Sequence, residues 1–184
     1  VISNKSSGFM AKSLTETAFS MGAEVDLWLG NATYSIGEWI NTSRFETLTD
    51  LKKKVDKIEK YDVIIVPAAL SDFVPEYTKG KIDSTKAITL KMKKAPKILG
   101  SIRKKHKGPL YSFKLGSNIK DSELLKKANV LLKNSDCVIA NYSDAMGSES
   151  SKAAIVDKKN TKWITGTKNN LSRKVLEKIA TELT

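Results

Sequence analysis

Apolar positions along this chain switch repeatedly between two periods. Met10, Leu14, Ala18 and Met21 recur at helical spacing, and Gly22 follows as a stop. Glu24 to Leu29 then alternates polar and apolar, as a strand does. Leu48, Leu51, Val55 and Ile58 mark a second helix with lysines on its other side. Val63 to Val66 is an unbroken apolar run, the pattern of a strand buried on both faces of a parallel sheet. Ile88 to Met92 reads as a further strand, and Pro96 opens a helix running to about Lys104, where its missing N–H costs nothing. Leu110 to Leu115 is a strand, and Leu124, Leu125, Ala128, Leu131 and Leu132 define an amphipathic helix. Cys137 to Ala140 is the next buried strand. Ala153 to Val156 and Trp163-Ile164 form a closing pair around the turn at Asp157 to Asn160. The last helix carries Leu171, Val175, Leu176, Ile179 and Leu183.

This alternation predicts an α/β fold: a Rossmann-like, doubly wound, mostly parallel sheet with helices on both faces. Ligands bind such sheets at the carboxyl ends of the strands. The segments after Val66, Leu115 and Ala140 therefore become the places to look for chemistry. Two stretches carry no clear period. Gly30 to Ser43 reads as a polar surface excursion, and Ala68 to about Lys86 as a long irregular connection of the functional or mobile kind.

Composition narrows the class. A chain of 184 residues with 40% hydrophobic and 28% charged residues is a single globular domain by default. No apolar run approaches the roughly 20 residues that span a bilayer. With Cys137 the only cysteine, no internal disulfide can form, and a reduced, cytoplasmic setting fits. The formal charge of +12 calls for anionic partners. The lysines are spread along the whole chain without a nucleic-acid recognition motif, so small polyanions suit the charge as well as nucleic acid does. Val1-Ile2 reads like the end of a strand, which implies a preceding strand and loop.

Candidate chemistry gathers in a few places. Ser3-Asn4-Lys5-Ser6-Ser7-Gly8 runs straight into the first helix, where unpaired N–H groups and the helix dipole favour an anion. A plain N-cap uses the same residues. Asp72, after Ala68-Ala69-Leu70-Ser71, either caps a turn or meets a metal–phosphate complex or a ribose hydroxyl. Lys79-Gly80-Lys81 in the long loop is either solvated or closes on a phosphate. Asn4 can both donate and accept hydrogen bonds, which suits an acyl group or the shaping of a turn. His106 ends a basic helix and serves its dipole, and Cys137 reads as inert core. No set of Cys, His and acidic residues has metal-ligand spacing, so a metal would arrive with a nucleotide.

Taken in order, these motifs resemble phosphopantothenoylcysteine synthetase, the phosphopantothenate–cysteine ligase of coenzyme A biosynthesis. Ile2 to Met10 resembles the family's Ile-Thr/Ser-Asn-x-Ser-Ser-Gly-x-Met segment. Ala68 to Pro75 is similar to Ala-Ala-Val-Ser/Ala-Asp-Tyr-x-Pro, and Lys81-Ile82 falls at the Lys-Ile loop. Ala95 to Leu99 resembles Asn-Pro-Asp-Ile-Leu, and Ser112-Phe113 stands at Gly-Phe. Val138 to Asn141 matches the Val-Ala-Asn strand end, with Met146-Gly147-Ser148 echoing Phe-Gly-Ser.

The resemblance implies a ligase that activates the 4′-phosphopantothenate carboxylate on the α-phosphate of CTP, or of ATP, with magnesium. Pyrophosphate leaves, and L-cysteine then attacks the acyl-nucleotide. On this reading Asn4 and Lys81 are catalytic: Asn4 stabilises the acyl intermediate, and Lys81 neutralises charge during nucleotidyl transfer. Ser6, Ser7, Gly8 and Met10 line the site at the helix start, and Asp72 sits at the nucleotide and its magnesium. Ala68, Pro96, Lys97, Ile98, Leu99, Phe113 and Lys133 border the nucleotide. A homodimer is implied, with Phe73 to Lys86 closing the site near the partner subunit. The family's N-terminal strand and Gly-rich loop do not appear in this sequence, and a decarboxylase is often fused upstream.

Departures touch nucleotide choice more than reaction class. Phe9 and Ala11 stand for the common Lys and Gly, Lys97 for Asp, Lys114 to Ser117 for Ala-Ala-Glu-Thr, and Asn129 for a second phosphate-facing Lys. The alternatives are a silent or differently specific nucleotide-binding domain on the same scaffold and, behind it, a basic nucleic-acid-binding protein.

Overall fold

The computed structural model describes residues 6–58, 60–76, 80, 87, 89–142 and 150–183. Helix α1 (Phe9–Ser20) ends at Gly22, whose φ of +88° only glycine adopts without strain. Strand β1 (Asp26–Leu29) pairs in parallel with β2 (Asn41–Arg44). Helix α2 (Leu48–Asp56) starts with a capping box, in which Thr47 and Asp50 satisfy each other's backbone N–H.

The central sheet has five strands in the order β3-β6-β7-β8-β9. Strands β3 (Ile64–Val66), β6 (Leu110–Gly116) and β7 (Cys137–Tyr142) are parallel. Strands β8 (Ser150–Asp157) and β9 (Thr161–Thr167) extend the sheet antiparallel as the predicted closing hairpin. The sheet carries helices on both faces. On one face α1 and α5 (Lys168–Leu183) pack Leu14, Leu171, Val175 and Ile179 against Tyr111, Ile139 and Ile155. On the other, α4 (Asp121–Leu131) packs Leu124 and Ala128 on Val138 and Val156. Beside α4, α2 and α3 (Ile98–Lys105) enclose Leu51, Val55, Ile98, Ile102 and Leu110.

Three sequence expectations need correction. The 30–43 excursion contains most of β2, and Ile40 within it is buried: β2 is polar, so only its backbone pairing reveals it. The 68–86 connection contains a strand, β4 (Phe73–Pro75), which pairs antiparallel with β5 (Met92–Lys94). That second strand begins at Met92, where the 88–92 prediction ends. Residues Ile64 to Val66 are half-buried rather than buried on both faces, because β3 is the end strand of the described sheet. His106 ends the basic helix α3 as its C-cap and is buried there, with Nε2 donating to the Pro109 carbonyl at 3.1 Å. Gly108 permits this turn, since a Cβ there would lie 2.7 Å from the Asp62 carbonyl oxygen.

Candidate active site at the carboxyl ends of the strands

The first group of site residues forms at the start of α1. Gly8 is the N-cap, with φ of +80° and no side-chain cap. Ser7 shapes the crook: its Oγ accepts the Phe9 N–H at 3.3 Å, and its carbonyl accepts the N–H of Thr33 at 3.1 Å. The Thr33 hydroxyl donates to the same carbonyl at 3.2 Å. A Cβ on Gly8 would lie 2.6 Å from the Ala32 Cβ, so glycine is required here by contact as well as by dihedral. Ser6 is exposed beside the crook, and Met10 is half-buried on the α1 and α5 side of the sheet. Asn4 lies outside the described residues.

The second group forms where β3 ends and α3 begins. The Asp72 carboxylate takes an ion pair from Lys97 at 2.6 Å, and its carbonyl accepts the Ala95 N–H at 2.9 Å. The Lys97 bond and charge, with a further contribution from Lys114, hold the Asp72 carboxyl below the usual carboxylate range. Both partners of the pair are more than two-thirds exposed, at 77% for Lys97 and 72% for Asp72, so water and solutes reach them freely. Ala68 and Pro96 are exposed nearby in sequence, and Lys97 is the N-cap of α3 without a side-chain cap of its own. Ile98 differs from expectation. Its side chain is only 2% exposed inside the α2–α3 core, so only its backbone can face a ligand. Leu99 packs partly into the same core.

Lys133 is brought to this neighbourhood by the turn after α4. Asn134 Oδ1 in that turn lies 3.6 Å from where a Cβ on Gly100 would stand, an ordinary contact distance that sets the turn against α3. Phe113 falls elsewhere. Successive residues of a strand face opposite ways: Phe113 packs on the core of the α1 side, as Met10 does, and the next residue, Lys114, adds its charge to the field that lowers the Asp72 carboxyl. Phe113 therefore belongs with the crook rather than with residues 96–99. Lys81 and Met146 to Ser148 lie outside the described residues.

Sequence reasoning missed two contributors. The 32–34 segment props the crook through backbone bonds, which leave no residue signature. Lys168, the first residue of α5, holds its Nζ 5.4 Å from the Phe9 ring centroid, although 159 positions separate the two in sequence (168 − 9). Among the described residues no cluster of His, Cys, Asp and Glu could hold a metal unaided. An open cleft of about 450 Å³ between α1 and α5 is lined by Ser13, Thr17, Asn169 and Arg173, apart from the expected residues.

The family model described as the DNA/pantothenate metabolism flavoprotein C-terminal domain matches residues 1–183. The chain belongs to this family. A coenzyme A biosynthesis bifunctional protein, CoaBC, of Methanocaldococcus jannaschii is 30% identical over 185 aligned positions, covering 97% of this chain and 46% of that protein. The domain thus spans about half the length of the curated relatives it matches. The DNA/pantothenate metabolism flavoprotein of Streptococcus pneumoniae superposes with a TM-score of 0.86 at 27% identity, covering 98% of this chain and 91% of that one. At 17% identity the same fold recurs, with a TM-score of 0.77, in a Cab2 mutant complexed with phosphopantothenate-cysteine, over 99% of this chain and 79% of that one. No helix among the described residues is long and apolar enough to cross a membrane.

Proposed function

We infer that this domain joins 4′-phosphopantothenate to L-cysteine, driven by a nucleoside triphosphate. One observation carries the reading within the family: on β6, Phe113 faces the Met10 side of the sheet while the next residue, Lys114, faces the Asp72–Lys97 pair. The two groups of residues thus lie toward opposite faces of one strand, β6. That suits two phosphorylated substrates held side by side, one at the crook and one at the start of α3.

The chemistry follows from what a carboxylate lacks. Its oxygen is a poor leaving group until it carries a nucleotidyl group. The phosphopantothenate carboxylate oxygen attacks the α-phosphorus, the bond to the β-phosphate oxygen breaks, and pyrophosphate departs. The cysteine amine then attacks the acyl carbon, loses a proton, and expels the nucleoside monophosphate. Lys97 and Lys114 offset charge at the nucleotide, and Lys81 is assigned the same task through the resemblance. Asn4 is assigned the acyl group. CTP is the proposed nucleotide and ATP the alternative. Magnesium would arrive with the nucleotide and would neutralise its phosphates, and the exposed Asp72 carboxylate is the described residue that would help hold it.

A homodimer belongs to the same proposal. The β4–β5 arm is an isolated two-stranded sheet, and Phe73 is 55% and Met92 43% exposed on it. Two strands alone are marginal in water, and a second copy would cover these side chains. Cys137 stays reduced in the cytosolic setting proposed for such an enzyme.

A single-turnover assay with each of the four triphosphates tests the function. Pyrophosphate release with phosphopantothenate, an acyl-nucleotide by mass, and amide formation only when cysteine is added are expected. Nucleotide binding without pyrophosphate release would leave a non-catalytic nucleotide-binding domain instead.

A further inference from the structure

We propose that the amino edge of the parallel strands, opposite the ligase site, is a second binding surface whose ligand is single-stranded nucleic acid. Lysines from two separate segments of the sequence meet there. The C-terminal end of α2 leads into β3 and that of α3 into β6, so both helices end at the edge where these strands begin. Lys105 Nζ donates to the Asp56 carbonyl at 2.8 Å and joins the two helix ends. Lys53, Lys57 and Lys60 of the first segment and Lys104, Lys105 and Lys107 of the second are all exposed, and together they make one basic surface.

Carboxylates do not cancel it. Lys52 takes Asp56 at 2.5 Å, and Asn41 and Tyr61 both donate to Asp26. Lys57, Lys60, Lys104 and Lys107 have no carboxylate partner among the described residues, and Asp62 is the acid left near them. A cation that fastens the fold at this edge looks different. Arg103 pairs with Asp136 at 2.8 Å and donates to the Gly108 carbonyl at 2.9 Å. The exposed lysines make no such bonds, so their charge faces outward for an anionic ligand.

A cleft beside these lysines selects among anions. It encloses about 300 Å³ at the starts of β1 and β2, and Trp28, Tyr61, Asn41, Ser43, Lys54 and Lys57 line it. Lys57 belongs to both the cleft and the basic surface. Trp28 and Tyr61 are half-buried, which holds their rings in place. Lys54 Nζ stands 5.9 Å from the Trp28 ring centroid and donates to Ser43 Oγ at 3.0 Å. Lysines alone attract any polyanion. Aromatic rings set between them add stacking for a base, and that base must be unpaired to reach them. The Asn41 amide and the Ser43 hydroxyl offer hydrogen bonds to a base edge. A polyphosphate has no ring to stack, and a lipid surface is flat where this site is concave. None of these residues belongs to the groups assigned to ligation, so the proposal stands or falls apart from the ligase reading.

Fluorescence anisotropy of labelled single-stranded RNA and DNA of about 12 nucleotides, titrated with the full chain, tests this. Affinity should fall steeply with added salt. Replacing Lys57, Lys104 and Lys107 together by Gln should weaken binding about tenfold or more and reduce the salt slope by about two. The same charge removed as Lys158→Gln, Lys159→Gln and Lys162→Gln, on the β8–β9 hairpin at the other end of the sheet, should weaken it less than about twofold. Tyr61→Leu should weaken oligonucleotide binding about fivefold or more and leave inorganic polyphosphate binding unchanged. Urea titration of each variant shows that it is folded, and ligase turnover should not change in any of them. Equal losses from the two triple variants would mean that net charge alone attracts the oligonucleotide, which overturns the surface. Polyphosphate or phosphatidylserine vesicles bound as tightly as the oligonucleotides, with no effect of Tyr61→Leu, would overturn nucleic acid as the ligand. Absence of oligonucleotide binding at low salt overturns the proposal outright and leaves the ligase reading untouched.

Discussion

The two ends of α5 use charge in opposite ways. In its last turns, Lys178 Nζ lies 3.0 Å from an Asp157 oxygen and 2.7 Å from a Glu182 oxygen. The fully buried Tyr111 donates its hydroxyl to Glu182. Burial opposes ionisation of Asp157, yet bonds from the Lys159 amide, Lys178 and the Asn160 amide hold its carboxyl below the usual range. Burial, and then Glu182, push the Tyr111 phenol well above its ordinary value, and burial lifts the neighbouring Cys137 thiol to about 12. Lys178, Asp157 and Glu182 each have a protein partner, and the set fastens the helix to the sheet. At the first residue of the same helix, Lys168 has an aromatic ring and no acid. Matched charges fasten one end of the helix to the sheet, and a cation over an aromatic ring holds the other against α1.

The sharpest break of this contrast is Gly8→Ala. An alanine there must hold φ near +80° and press its methyl into Ala32, 2.6 Å away. Left-handed strain and overpacking together should cost about 2–4 kcal/mol. Urea titration reads that loss, and substrate binding at the crook should fall with it. A stable, fully binding variant would mean that the crook is not a rigid frame.

Glu182→Ala attacks the matched end. It leaves a buried phenol without an acceptor and removes one of the two partners of Lys178. The expected loss is about 1–3 kcal/mol, against about 1 kcal/mol for Tyr111→Phe, which removes the donor and orphans only a carboxylate that water can reach. Neither change should alter the KM of any substrate. A shift in KM with no loss of stability would remove Glu182 from the set that fastens the helix.

How much of this was legible in the sequence depends on whether side-chain pattern or chain trajectory sets the feature. The period at Met10, Leu14 and Ala18 and the apolar run at Cys137 to Ala140 name α1 and β7 directly, because burial selects those side chains. Strand β2 carries Asn-Thr-Ser-Arg and the β4–β5 arm is largely exposed, so neither displays an apolar face to read. Asp72 and Lys97 were both marked, but their pairing across 25 positions was not, since only the fold brings β3's end to α3. Lys168 left no local signal at all. A lysine at a helix start looks like any solvated lysine until α1 is packed beside it.

Acid should separate the two ends more gently. The folded Asp157 carboxyl titrates below its unfolded value of about 3.8, so its stabilisation is complete above that pH and is lost as pH falls through the depressed value. Asp50 and Asp121 act in the same direction, from exposed positions. The urea midpoint should be flat from pH 7 to about 5 and should decline below about 4. Asp157→Asn should flatten part of the decline, and Lys168→Met should leave its shape unchanged. A decline sensitive to Lys168 would reveal a hidden carboxylate partner and undo the contrast.

The smallest effect on stability is expected from Asp72→Asn, and for that reason it is the most discriminating. The Asp72–Lys97 pair resembles the matched end of α5 in geometry, at 2.6 Å, yet both side chains stand mostly in water. Exposed pairs contribute about 0–1 kcal/mol, so the urea midpoint should barely move. If the pair is only a strap between the end of β3 and the start of α3, substrate kinetics should not move either. If instead Asp72 exchanges Lys97 for a magnesium–nucleotide complex, the variant should raise the nucleotide KM and steepen its dependence on magnesium, with the phosphopantothenate KM little changed. Lys97→Met separates the two further: a strap leaves the kinetics unmoved from either side, whereas a lysine that offsets charge at the nucleotide should raise the nucleotide KM when removed, without the steeper magnesium dependence of Asp72→Asn. Paired kinetics of the two variants at several magnesium concentrations decide whether this ion pair belongs with the fastened charges or with the working ones.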